Sequence, residues 1–223
     1  MKYLIAGALA LVIAEPALAQ TAGPVRSGVR VEGRMGWDRP VFKEKLVADG
    51  VVATRKSGKS GVVWGAEAGY DYVTSGRMMI GGYAGIEGST AEACTGPDRF
   101  CRDLGRNITV GARVGYVLRR GVVYLKGGYS NGRVTDNFDG PPPPPPAPGS
   151  PPPFPLVARD KRDFGGFHLG AGGEMMIGRN AYTKLEYVYT DYGTDKFRDT
   201  ATDATLSFGK RRHQIVVGVG YRF

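Results

Sequence analysis

Residues 213–223 read His-Gln-Ile-Val-Val-Gly-Val-Gly-Tyr-Arg-Phe. From Ile215 every second residue is large and apolar: Ile215, Val217, Val219, Tyr221 and Phe223. Period-two alternation marks a strand with two unlike faces. The second face carries Val216, Gly218, Gly220 and Arg222. In a water-soluble sheet one face covers the core and the other carries ordinary surface residues. Here the face that should be wet is nearly empty, and the apolar row runs to the last residue.

Seven other stretches alternate in the same way. Val29–Trp37 sets Val29, Val31, Met35 and Trp37 against Arg30, Glu32 and Arg34. Val62–Tyr72 sets Trp64, Tyr70 and Tyr72 against Glu67 and Asp71, and Ile80–Gly88 sets Ile80 and Ile86 against Tyr83 and Glu87. Ile108–Tyr116 opposes Val110 and Val114 to Arg113, and Val123–Tyr129 opposes Leu125 to Lys126. Phe167–Met175 opposes Leu169 to His168 and Glu174, and Ala181–Tyr189 opposes Leu185 and Tyr187 to Lys184 and Glu186. Each has about the 9–11 residues that a tilted strand needs to cross a bilayer.

Long and short links alternate between these stretches. The long ones are Asp38–Gly61, Ser89–Asn107, Ser130–Gly166 and Thr190–Arg212. The short ones are Val73–Met79, Val117–Val122 and Met176–Asn180. That is the sequence form of an all-β, eight-stranded antiparallel transmembrane β-barrel, with short periplasmic turns and long outside loops. The closing apolar row then faces lipid, with Tyr221 and Phe223 in the periplasmic aromatic girdle.

The N-terminus fits export. Lys2, an apolar run from Leu4 to Ala14, and Ala17-Leu18-Ala19 make a signal peptide over residues 1–19, cut between Ala19 and Gln20. The barrel domain is expected over 20–223, and no later stretch has the ~18 apolar residues of a membrane helix. The chain carries a net charge of +9 over 223 residues and contains 35 glycines. That charge suits an anionic membrane surface; no nucleic-acid-binding pattern accompanies it.

The terminal "VGVGYRF", together with "KLEYVYTDYG" (Lys184–Gly193), "LKGGYSN" (Leu125–Asn131) and "LGAGGE" (Leu169–Glu174), resembles small eight-stranded barrels of the OmpA-like and opacity-type surface-protein superfamily. The resemblance implies a protein of the Gram-negative outer membrane. It also implies a C-terminal assembly signal (Val217, Val219, Tyr221 and Phe223) read by the barrel assembly machinery. With the sequence ending at Phe223, a barrel without a peptidoglycan-binding domain is expected.

Alternation sends twelve charges inward: Arg30, Arg34, Arg113, Lys126, Lys184 and Arg222 against Glu32, Glu67, Asp71, Glu87, Glu174 and Glu186. Equal numbers suit a narrow lumen filled by side chains, because stranding a buried charge is costly. Basic residues in the first long link (Arg39, Lys43, Lys45, Arg55, Lys56 and Lys59) and in the last (Lys210, Arg211 and Arg212) would face lipopolysaccharide, or be simply solvated. The run 140–157 is rich in proline, cannot join a ladder, and reads as a stiff polyproline insertion in an outside loop.

The functional expectation is a non-enzymatic structural or surface-interaction protein without cofactors, whose partners are outer-membrane lipid and lipopolysaccharide. The rivals are an adhesin or ligand-binding antigen acting through its loops, a small porin-like channel, and a lipid A-modifying enzyme. His168 and His213, even with Ser207 nearby in sequence, form no recognisable catalytic set, and a lumenal or interfacial position suits them better. Cys94 and Cys101 enclose a short exported loop and read as one disulfide. Closing so short a loop stabilises by about 2–3 kcal/mol in the chain-entropy picture. Neither thiol should react with a maleimide before a reductant is added, and labelling without reductant would show the bridge to be absent.

Overall fold

The computed structural model describes residues 23–48, 51–95, 100–138, 159–199 and 204–223. The signal peptide with its Ala19/Gln20 cleavage site and the proline-rich run 140–157 lie outside the described residues. Ten strands form one antiparallel sheet: β1 (Gly28–Ala48), β2 (Val51–Ser57), β3 (Gly61–Val73), β4 (Met78–Ser89), β5 (Glu92–Thr95), β6 (Phe100–Val117), β7 (Gly121–Phe138), β8 (Arg159–Met176), β9 (Ala181–Asp199) and β10 (Ala204–Arg222). Their order is β10-β9-β8-β7-β6-β4-β3-β1, and β10 pairs with β1, so the sheet closes into a barrel. The seam runs from Arg30 opposite Arg222 to Val47 opposite Thr205.

Eight of the ten strands form the closed wall. β2 continues the line of β3, because β1 pairs with β3 up to Asp38 and with β2 from Phe42 onward. The break falls near Gly58, whose φ of 150° lies where L side chains rarely go. β5 likewise continues β4 on the flank of β6. The short links Thr74–Arg77, Leu118–Arg120 and Ile177–Asn180 lie at one end, with Phe223, whose N–H donates to Val29 O at 2.8 Å.

The strands reach much further than the alternating stretches. β1 has 21 residues, and β6 to β10 have 18 or 19 each. Among the described residues much of each long link is therefore ladder, not loop. The reason is physical: beyond the membrane both faces meet water, the apolar/polar alternation fades, and only the backbone ladder persists. Register shifts between Leu104 and Asn107 and between Gly209 and Arg211 further break the period.

Burial is inverted relative to a soluble protein. Val219 is 61% and Leu125 62% exposed, whereas Arg30 is fully buried. Exposed aromatics form two belts, Trp37, Trp64, Tyr129, Phe167 and Tyr187 at one level and Tyr70, Tyr72, Tyr116, Tyr221 and Phe223 at the other. From Trp64 to Tyr72 the strand climbs about 27 Å, or roughly 20 Å along the normal at the usual tilt. So wide an exposed apolar band between aromatic belts is a lipid-facing surface.

The seam is tight on its inner side. A Cβ at Gly36 would lie 2.0 Å from Ile215 O, whereas one at outward Gly33 meets nothing within 4 Å. Gly36→Val should therefore destabilise the refolded barrel by about 1–3 kcal/mol, as overpacking does, and so lower its urea unfolding midpoint. Gly33→Val should leave the midpoint in place.

Candidate functional site

The site is the barrel interior, and alternation puts charge there. Every inward position of the spanning strands is decided by the outward apolar row, because lipid accepts only one face. Arg30, Glu32, Arg34, Glu67, Asp71, Glu87, Arg113, Lys126, Glu174, Lys184, Glu186 and Arg222 are all buried inside.

They join in one continuous network. At the periplasmic end Arg222 bonds Asp71 at 2.7 Å and Glu174 at 3.0 Å, and Arg113 bonds the same two carboxylates. Arg30 links this cluster upward, through Asp71 at 3.5 Å and Glu67 at 2.6 Å. In the middle Glu67 accepts from Arg30, Arg34 and Lys126, the last two at 2.9 and 2.8 Å. Glu186 accepts from Lys126 at 3.1 Å and Arg34 at 3.3 Å. Lys184 pairs with Glu32 and, at 3.4 Å, with Glu186. Arg34 then reaches up to Glu87.

Tyrosines complete the lone pairs. Tyr124 donates to Glu186 at 2.7 Å and Tyr182 to Glu32 at 2.8 Å. Lys126 Nζ lies 4.2 Å from the centroid of the Tyr83 ring, and the Arg113 guanidinium 4.9 Å from that of Tyr124, both within cation–π range. Below the charges Val25, Met79, Val117, Val122, Tyr124, Met176 and Tyr182 pack into an apolar cluster, with Val73 against it. That cluster caps the periplasmic end of the lumen.

The external end holds residues that sequence reasoning left in links. Arg212 binds Asp38 through two bonds of 2.7 and 2.8 Å and reaches Glu87 at 3.4 Å. Asn107 and Gln214 donate to Glu87 at 3.0 and 3.2 Å, and Tyr192 donates to Asn107 at 3.1 Å. With Asp38 and Arg212 included, seven cations and seven carboxylates are buried among the described residues. Continuing the inward parity of Arg34 by four residues would have found Asp38. Arg212 lies two residues before inward Gln214, and its register with Pro40 on β1 continues that parity without a break.

The histidines separate. His168 is buried between the Tyr83 hydroxyl and Ser130 Oγ, the latter at 2.8 Å from its Nδ1. His213 faces outward, and its Nδ1 pairs with the Tyr187 hydroxyl at 2.8 Å; the structure gives it no bond to Ser207. Cys94 and Cys101 stand directly opposite in the β5–β6 backbone register. Outside the membrane, Arg133 and Asp163 form an exposed pair at 2.8 Å, and hydrogen bonds from Arg133 hold the Asp163 carboxyl below the usual carboxylate range.

A closed eight-stranded wall, lipid-facing aromatic belts and a lumen packed with paired charges define a transmembrane outer-membrane barrel. The model of the outer membrane protein beta-barrel domain family matches residues 4–223, and the chain belongs to that family. A 31 kDa outer-membrane immunogenic protein of Brucella melitensis is 29% identical over 170 residues, which span 73% of this chain and 67% of the relative. Among solved structures, Neisserial surface protein A aligns at a TM-score of 0.46 and 15% identity, over 88% of this chain and 98% of that one. Ail of Yersinia pestis aligns at 0.44 and 14%, over 89% and 100%. The chain is thus an integral protein of the Gram-negative outer membrane.

Glu67 accepts from three buried cations, Arg30, Arg34 and Lys126. Glu67→Leu should destabilise the refolded barrel by about 3–5 kcal/mol, because it strands buried cations. Asp163→Leu, which breaks only the exposed pairs with Arg133 and Arg106, should leave the urea midpoint within error.

Proposed function

We propose that the chain serves as a sealed, non-catalytic scaffold in the outer membrane, with its outside hairpins as the working surface. The observation that carries this reading is the lumen itself, where Arg222 through Glu67 to Arg212 form an unbroken paired chain above an apolar cap. An eight-stranded wall encloses only enough room for such side chains. Ions crossing it would have to displace bonds that hold the barrel together.

Export by a signal peptide cut after Ala19, a Cys94–Cys101 bridge and recognition of Phe223 by the assembly machinery belong to the same reading. Opposite Cα positions for the two cysteines favour the bridge. A second reading, an adhesin or ligand-binding antigen, is favoured by ladders that carry the hairpin tips well clear of the lipid belt, and the Brucella relative is described as immunogenic.

Refolded protein in planar bilayers should give no discrete conductance steps above the lipid baseline. Reproducible steps from wild-type protein would overturn the sealed scaffold in favour of a channel.

A further inference from the structure

The first long link looks in sequence like an undivided basic stretch; the ladder sorts it. Above Trp37 on β1 the outward positions are Arg39, Val41, Lys43 and Lys45, all exposed but Val41. Glu44 falls on the other face, with Arg55 and Phe208 as its register partners. Lys56 of β2 stands directly opposite Lys43. Arg211 of β10 stands opposite Val41, and His213 opposite Arg39. Residues directly opposite in an antiparallel pair share a face. The outward face of β2, β1 and β10 therefore carries Arg39, Lys43, Lys45, Lys56 and Arg211 together.

No carboxylate of these three strands lies on that face. The nearest described one, Asp191 on β9, accepts from Arg211 at 3.3 Å. Directly opposed like charges destabilise a sheet, and Lys43 and Lys56 are such a pair. The height of the patch is set by its neighbours. Trp37 is an outer-belt residue, and Arg39 is one pleat repeat above it, about 7 Å along the strand. Arg39 thus stands where the hydrocarbon ends, Lys43 and Lys56 stand about 20 Å along the strand above Trp37, and all of them look sideways from the wall and not up along its axis.

We propose that this face binds a phosphate-bearing glycolipid of the outer leaflet, its acyl chains lying along the apolar rows below Trp37 and its phosphates between Lys43, Lys56 and Arg39. The site rests on the membrane placement of the scaffold described above, and gives that scaffold a fixed lipid partner. The seam strands β1 and β10 both contribute, so a bound lipid spans the junction that closes the barrel.

The test uses the full mature chain refolded in neutral detergent and titrated with lipopolysaccharide, read through Trp37 and Trp64, the chain's only two tryptophans and both in the outer belt. At about fivefold per cation near an anionic lipid surface, Lys43→Gln/Lys56→Gln should bind about 25-fold more weakly. Enzymatically dephosphorylated lipopolysaccharide should lose a similar factor with wild-type protein. Arg119→Gln/Arg120→Gln, in a turn at the opposite end, should bind as wild type. Unchanged binding by the lysine double variant, undiminished binding of the dephosphorylated lipid, or equal binding of phosphatidylglycerol would each overturn the proposal. Unheated gel mobility verifies that each variant is folded, and Arg39→Gln repeats the measurement should the double variant fail to fold. Conductance of the same preparation is scored separately, so loss of lipid binding and failure of the sealed scaffold give different results.

Discussion

Backbone hydrogen bonding in hydrocarbon governs everything else in this molecule. Lipid offers no partner for a free N–H or C=O, and each one left open costs several kcal/mol. The sheet therefore has to close, and the pairing of β1 with β10 from Arg30–Arg222 to Val47–Thr205 is where it does. Closure with eight strands fixes a narrow interior. A narrow interior with one lipid-facing side leaves the other side to polar groups, and these must satisfy each other. The charge network follows from the seam, and the need for a glycine at Gly36 follows from the close approach of Ile215 O across it.

The interior resolves its electrostatics internally. Among the described residues seven cations and seven carboxylates are buried there, so these fourteen add nothing to the chain's net charge of +9. The lumen can thus be rigid without being charged, and the exterior can be strongly basic without straining the core. Tyr83, Tyr124 and Tyr182 make this possible, since they supply hydroxyls or ring faces where a further charge would have upset the balance.

The spanning part of the fold is legible in the sequence because lipid enforces the period. Ile215 to Phe223 and Val29 to Trp37 alternate without a slip, and their parity alone places Arg30, Glu32, Arg34 and Arg222 inside. Legibility ends where the lipid ends. Asp38 and Arg212 lie just past the outer aromatic belt, where water on both faces removes the apolar row that reveals parity. On β9 the bulge between Asp191 and Thr194, opposite Gly209 and Arg211, shifts the phase of that strand as well. The same loss of pattern makes β2 and the upper halves of β6 to β10 look like loop. Tyr192, three positions beyond the last alternating residue recognised on its strand, is in contact with Asn107 inside the mouth for the same reason.

The ladders beyond the membrane have a consequence for how this protein can change over time. Asn137 and Arg159 are register partners at the top of β7 and β8, so whatever chain joins them starts and ends at one fixed point. Closing a loop between fixed ends costs entropy that grows only with the logarithm of its length. Insertions at such a tip therefore add little to the cost of folding. The hairpins act as mounts that separate two regimes of selection: below them each inward side chain is bound by its neighbours' charge, and above them length and composition can drift under pressure from the surroundings alone.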